Sequence, residues 1–207
     1  MKMKRSDCLK IAAEEMSDAL VITTVGGAAA EWNTIRPSDG NLRCRTLGLV
    51  SSIAMGLALA LPKRRIVGID GDGALLMNAC GLATLAWQKP ANLTLLLFDN
   101  SIYEASGLRP TATSVGTDLI GMAKAAGLKN ASWATSLEDY RNELRKAKQG
   151  SALSMIGAKT ESGIEYFKTW RDLPAFEYNE VENVYRFMRH IEKLEGKRVV
   201  PIPGPRH

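Results

Sequence analysis

The segment IDGDGALLMN (69–78), followed by FDNSIY (98–103), constrains this chain more than any other feature. The run Arg65–Ile69 reads as a buried strand, and Asp72 stands in the glycine turn at its carboxyl end. A helix is predicted from about Ala74 to Gln88, then a strand over Leu93–Phe98, with Asn100 at its carboxyl end, 28 residues after Asp72. In a parallel sheet, strand carboxyl ends share one edge, and ligands bind there. Gly71 and Gly73 allow backbone N–H groups to approach a phosphate at the N-terminus of the Ala74 helix. Asp72 offers a carboxylate and Asn100 an amide oxygen, hard ligands suited to Mg2+. Each piece has a plainer reading: a glycine turn is often only a turn, an Asp there caps a helix, and an Asn ends a strand. Their joint spacing predicts a metal–diphosphate site. No GxGxxG and no GK[ST] is present, so the Rossmann and Walker modes of phosphate binding are excluded.

The remaining chain repeats the alternation of short apolar runs with helical patterns. Cys8–Met16 carries helical spacing; Leu20–Val25 reads as a strand ending at Gly26-Gly27; Gly48–Leu61 reads as a buried helix. Thr117–Ala126 is predicted helical with Gly127 as its stop, Ser136 opens another helix, and Ala152–Ala158 is the last strand. The fold class expected is α/β, a three-layer parallel sheet with helices on both faces. Residues 1–160 form the binding domain; 161–196 add an aromatic-rich connection (Tyr166, Phe167, Trp170, Phe176) and a helix capped by Asn179 and ended by Gly196, packed on the same domain. The tail 197–207, with three prolines, is expected to be mobile.

Composition removes other chemistries. At 207 residues and 45% hydrophobic, the chain builds one core without staples. Its two histidines, His190 and His207, lie near the C-terminus, away from any Ser or Cys nucleophile pattern. Cys8, Cys44 and Cys80 are widely spaced and make neither a disulfide framework nor a zinc motif. The net charge of +5 comes from scattered clusters without interleaved aromatics, so no nucleic-acid partner is expected. Leu47–Leu61, the longest apolar stretch, is too short to span a bilayer, and no apolar run follows the basic N-terminus. No membrane association and a cytoplasmic location are expected.

The motif GDG with an Asn 28 residues on resembles that of thiamine-diphosphate-dependent 2-oxoacid decarboxylases and acetolactate-synthase-like enzymes. The blocks TVGGAAAEW, TLGLVSSIAMGLALALP, IDGDGALLMNACGLATLA and FDNSIYEASGLRPT are similar to successive blocks of the sulfopyruvate and phosphonopyruvate decarboxylases, as is the terminal helix with Arg186, Phe187 and Met188. The resemblance covers roughly Cys8–Ile191 and implies a thiamine-diphosphate-binding fold. It corresponds to the diphosphate-binding half of such enzymes, like a separately encoded β subunit.

The resemblance implies that Asp72, Asn100 and the Ile102 carbonyl hold Mg2+, while Gly71, Gly73 and Ala74 face the diphosphate of thiamine diphosphate. Ala74 stands where the family often has Ser. Gly26 and Gly27 would line the diphosphate end. Leu47 would wedge under the cofactor and hold it bent, although a leucine here also reads as core. The carbonyl of Arg45 would accept from the aminopyrimidine; the family usually has small residues there. Tyr103 and Glu104 would border the reacting centre as catalytic residues. Arg109, where the subgroup often has Gln, either pairs with the acidic group of a small 2-oxoacid substrate or is a solvated loop arginine.

The family's activating glutamate belongs to a pyrimidine-binding domain that no part of this chain matches. The implied assembly is a hetero-oligomer with a small α subunit carrying that domain and its glutamate. The implied reaction is decarboxylation of sulfopyruvate, phosphonopyruvate or a similar 2-oxoacid. Carboligation, or a non-catalytic Mg2+–diphosphate-binding role, stays open at this level.

Overall fold

The computed structural model describes residues 2–162, 168 and 172–199. Its elements run α1 (Arg5–Glu15), β1 (Leu20–Thr23), α2 (Gly27–Ile35), β2 (Asn41–Arg43), α3 (Val50–Ala60), β3 (Ile66–Gly71), α4 (Asp72–Leu76) and α5 (Gly81–Gln88). Then follow β4 (Leu93–Asp99), β5 (Ile102–Tyr103), β6 (Arg109–Pro110), α6 (Leu119–Ala126), β7 (Asn130–Ala134), α7 (Leu137–Gln149), β8 (Ser154–Lys159) and α8 (Glu180–Glu195).

Six strands form one parallel sheet in the order β2-β1-β3-β4-β8-β7. Alternation along β4 shows how the sheet serves two cores. Leu93, Leu95 and Leu97 face the layer holding α3, α5 and α6, whereas Leu96 and Phe98 face the layer of α1, α2 and α7. The three-layer α/β expectation is thereby met. Chain order reverses between β1 and β3, so the crevice beyond their carboxyl ends is the switch point where α/β sheets bind ligands.

The expected caps are present: Ser136 Oγ accepts from the Asp139 N–H, Asn179 Oδ1 from the Glu182 N–H, and Gly127 and Gly196 end their helices with positive φ. Besides the two-residue strands β5 and β6, three elements escaped the sequence pattern. The α2 segment opens on glycine and alanine, β2 is a three-residue polar edge, and β7 mixes exposed and buried positions.

The helix expected over Ala74–Gln88 is broken into α4 and α5. At the break, Asn78 Nδ2 donates to the Gly48 carbonyl (2.9 Å) and the Ser52 hydroxyl (3.3 Å), fixing the turn to the start of α3. Edge strand β2 is covered by α8, where Asn183 accepts from the Arg43 N–H and donates to the Asn41 carbonyl. Of the aromatic connection, Phe176 stacks on the Arg43 guanidinium at 3.7 Å; Tyr166, Phe167 and Trp170 lie outside the described residues, as do residues 200–207 of the tail. No helix among the described residues is long and apolar enough to cross a membrane.

Candidate cation and diphosphate site

The carboxyl ends of β1, β3 and β4 open on a cavity of about 100 Å3. Gly26, Gly27, Leu47, Gly71, Asp72, Gly73, Ala74, Asn100, Ile102, Tyr103 and Glu104 all line it, bringing together residues spread over 79 positions of sequence. Gly26 turns the chain out of β1 with φ +84°, a conformation open to glycine at no steric cost. At Gly73 the limit is space: a Cβ there would overlap the ring of Tyr103 and press on Thr111.

Asp72 is buried as the first residue of α4. Its Oδ2 accepts from the Thr111 hydroxyl at 2.5 Å, and Thr113 Oγ1 lies 3.1 Å from Asp72 Oδ2 and 2.8 Å from Asp99 Oδ1. Burial pushes the Asp72 carboxyl above the ordinary range; the Thr111 hydrogen bond opposes this and nearby Asp99 adds to it. Burial also pushes the neighbouring Asp70 carboxyl up to about 7. A cation beside Asp72 would favour its charged form and oppose the effect of burial.

Asn100 follows β4 and precedes Ser101, whose φ of +64° kinks the chain. Asp99 holds the kink, accepting from the Ser101 N–H and hydroxyl at its Oδ1 and from Lys159 at its Oδ2. Asn100 Nδ2 donates to Glu104 Oε1 at 2.7 Å, and Asn100 Oδ1 accepts from the Ile102 N–H at 3.1 Å. In the hairpin of β5 and β6 the Thr111 N–H donates to the Ser101 carbonyl, so the next facing pair, Ile102 and Pro110, is a non-hydrogen-bonded one and the Ile102 carbonyl is not taken by β6.

The donor set fits a hard cation. Among the described residues no group of three His, Cys, Asp or Glu side chains is placed to hold a metal ion. One carboxylate, one amide oxygen and one backbone carbonyl, completed by phosphate oxygens and water, is the usual Mg2+ arrangement. The two arginines expected at the site, Arg45 and Arg109, do not line this cavity. Arg45 is exposed and turns to Glu180 (2.7 Å), lining an adjoining cleft of about 610 Å3 that shares Val25, Gly26 and Ala105 with the site. Arg109 is exposed on β6 and does not line the cavity. Sequence reasoning missed Arg5, which also lines the cavity, and missed Asp99, Thr111 and Thr113. The polar, closely spaced run Thr111–Thr113 after the asparagine loop was the available signal for the last two.

The family described as thiamine pyrophosphate enzyme, C-terminal TPP binding domain, matches residues 33–158. The chain is 33% identical over 195 residues to the sulfopyruvate decarboxylase subunit beta of Methanocaldococcus jannaschii, covering 93% of this chain and 100% of that protein. It is 33% identical over 139 residues to the phosphonopyruvate decarboxylase of Streptomyces viridochromogenes, covering 67% of this chain but 34% of that protein. In fold it is similar to the benzoylformate decarboxylase structure from Polynucleobacter necessarius, with a TM-score of 0.68 at 19% identity, over 79% of this chain and 34% of that one. With its parallel sheet, its switch-point cavity and these matches, the chain belongs to the thiamine pyrophosphate enzymes, as their C-terminal thiamine-pyrophosphate-binding domain.

Proposed function

We propose that this chain is the diphosphate-binding subunit of a thiamine-pyrophosphate- and Mg2+-dependent decarboxylase. Its substrate would be a small 2-oxoacid bearing a second acidic group, of the sulfopyruvate or phosphonopyruvate class. The observation that carries the reading is Asp72 and Asn100 lining one cavity at the ends of adjacent strands, flanked by Gly71 and Gly73. The end-to-end match to a protein named as a beta subunit supports a separate partner. Cavity size supports it too: about 100 Å3 suits a cation and phosphate groups, whereas a whole cofactor-sized ligand needs roughly 300–1,000 Å3. The remaining walls would come from a small α subunit carrying the pyrimidine-binding domain and its glutamate.

In this reading Asp72, Asn100 Oδ1 and the Ile102 carbonyl hold Mg2+. The backbone at Gly71, Gly73 and Ala74 faces the diphosphate, with Gly26 and Gly27 closing its other side. Leu47 would pack beneath the cofactor, and the Arg45 carbonyl would accept from its amino group. When bound, thiamine pyrophosphate supplies the carbon nucleophile and the electron sink for loss of CO2. Tyr103 and Glu104 border the reacting centre. Arg109, exposed on the hairpin, is free to meet the acidic group of an incoming substrate.

The test is CO2 release from sulfopyruvate, phosphonopyruvate and pyruvate, by this chain alone and together with a co-expressed α subunit. Activity is expected only from the pair and is lost in Asp72→Ala. Full turnover by the single chain would overturn the subunit assignment; no release from any acid by the pair would overturn the decarboxylase assignment.

A further inference from the structure

Arg5, the first residue of α1, is buried beneath the site with all three guanidinium nitrogens engaged. Its Nε and Nη2 donate to the two oxygens of Glu31 on α2, at 3.0 and 3.4 Å, and its Nη1 donates to Glu104 Oε2 at 3.3 Å. The fit is close: a Cβ on Gly27 would overlap the guanidinium. Glu31 and Glu104 are buried as well. A buried charge cluster of this kind is weak evidence of stabilisation, since well-packed apolar residues often serve as well. Its geometry indicates another purpose.

The other oxygen of Glu104 accepts from Asn100 Nδ2. An asparagine amide presents an oxygen at one end and two N–H donors at the other, and only the oxygen can ligate a cation. With Nδ2 against Glu104 and Oδ1 against the Ile102 N–H, a flipped amide would face oxygen to carboxylate and N–H to N–H. Glu104 therefore dictates which end of Asn100 is the acceptor. Glu104 is itself held by Arg5, and Arg5 by the fork it makes with Glu31.

We propose that Arg5 is a positioning residue of the cation site, acting through Glu104 to hold the Asn100 amide with its oxygen presented to the metal. The inference rests on the Asp72–Asn100 cation reading above. It places the N-terminal helix, remote in sequence from the GDG turn, in control of a ligand 95 positions away.

The experiment titrates the full chain with Mn2+ in the presence of inorganic pyrophosphate, reading protein-bound metal by rapid ultrafiltration against a protein-free control. Wild type is expected to bind and Asp72→Ala to bind far more weakly. Arg5→Met and Glu104→Ala should each weaken Mn2+ binding about tenfold or more, the usual effect of losing a partner that orients a ligand. The double variant should be no more than about threefold weaker than either single, because both remove one linkage. Arg5→Lys keeps the charge but not the fork, and should fall between wild type and Arg5→Met; it also serves if Arg5→Met does not fold.

Wild-type affinity in both Arg5 variants overturns the proposal. A multiplicative, about hundredfold, loss in the double variant also overturns it, because Arg5 would then act independently of Glu104. If wild type fails to bind, or Asp72→Ala binds equally well, the cation–diphosphate reading fails and the proposal fails with it. Binding that needs Asp72 but not Arg5 sinks only the proposal.

Discussion

Thr111 Oγ1 donates to Asp72 Oδ2 at 2.5 Å, tying the residue after the β5–β6 hairpin to the first residue of α4. The loop that carries Asn100 thus also fixes the carboxylate that would share its cation. Replacing Thr111 by Val keeps the shape and deletes the donor, leaving a buried carboxylate oxygen short of a partner. Mg2+-dependent binding of thiamine pyrophosphate is expected to weaken about tenfold or more in Thr111→Val, and to recover in Thr111→Ser. Calorimetric titration with and without Mg2+ checks both; unchanged affinity in Thr111→Val refutes the role.

Gly73 gives a steric test of the same wall. A methyl group there meets the Tyr103 ring, a stiff group packed close to the backbone. Gly73→Ala should cost about 1–3 kcal/mol of stability, the range for overpacking a close contact. Truncating the ring in Gly73→Ala/Tyr103→Ala should recover part of that cost, because the clash partner is gone. Urea midpoints of both single variants and the double decide it; a double variant as destabilised as the sum of its singles would place the strain elsewhere.

The sheet and most helices were legible because their signals are local. β3, β4 and β8 are short apolar runs, and Ser136, Asn179, Gly127 and Gly196 mark helix ends with side-chain or φ chemistry. Asp72 and Asn100 were legible because a parallel sheet turns sequence order into edge position. Arg5 and Glu31 were not: their meaning lies in a contact spanning 99 residues, from Arg5 to Glu104, which no periodicity encodes. Strand β2 escaped for a related reason. Its edge is satisfied by Asn183, 142 residues beyond Asn41.

The three thiols should react very differently. Cys8 and Cys44 are buried, and Cys80 is exposed. Burial pushes the Cys8 thiol up to about 12 and raises Cys44 as well. From an ordinary 9.0, a value of about 12 means about a thousandfold less thiolate at neutral pH, and thiolate is the reactive form. One equivalent of a chromogenic disulfide reagent should be consumed quickly by the native chain, with two more after unfolding in urea. Rapid loss of a second thiol in the native state would contradict the packing around α1 or the loop after β2.

The core beneath α7 makes a prediction about alkaline stability. Tyr140 is fully buried against Phe98, and its hydroxyl has no hydrogen-bond partner among the described residues. Leaving such a group unsatisfied costs about 1–3 kcal/mol, so Tyr140→Phe should be neutral or stabilising by about 1 kcal/mol at pH 7. Burial also holds the Tyr140 phenol well above its usual 10.0 and the Cys8 thiol at about 12, so both stay protonated in the folded chain after the unfolded chain has released them. The folded state then binds more protons than the unfolded one, and stability must fall as pH rises. The fall begins near pH 9 with Cys8 and steepens above pH 10 as Tyr140 joins, each group adding a slope on the order of 1.4 kcal/mol per pH unit. Tyr140→Phe removes the second component alone. Urea unfolding across pH 8–11 should therefore show wild type and variant running parallel below pH 10 and diverging above it, the variant becoming progressively more stable. Parallel curves throughout would mean that the phenol reaches water in the folded state.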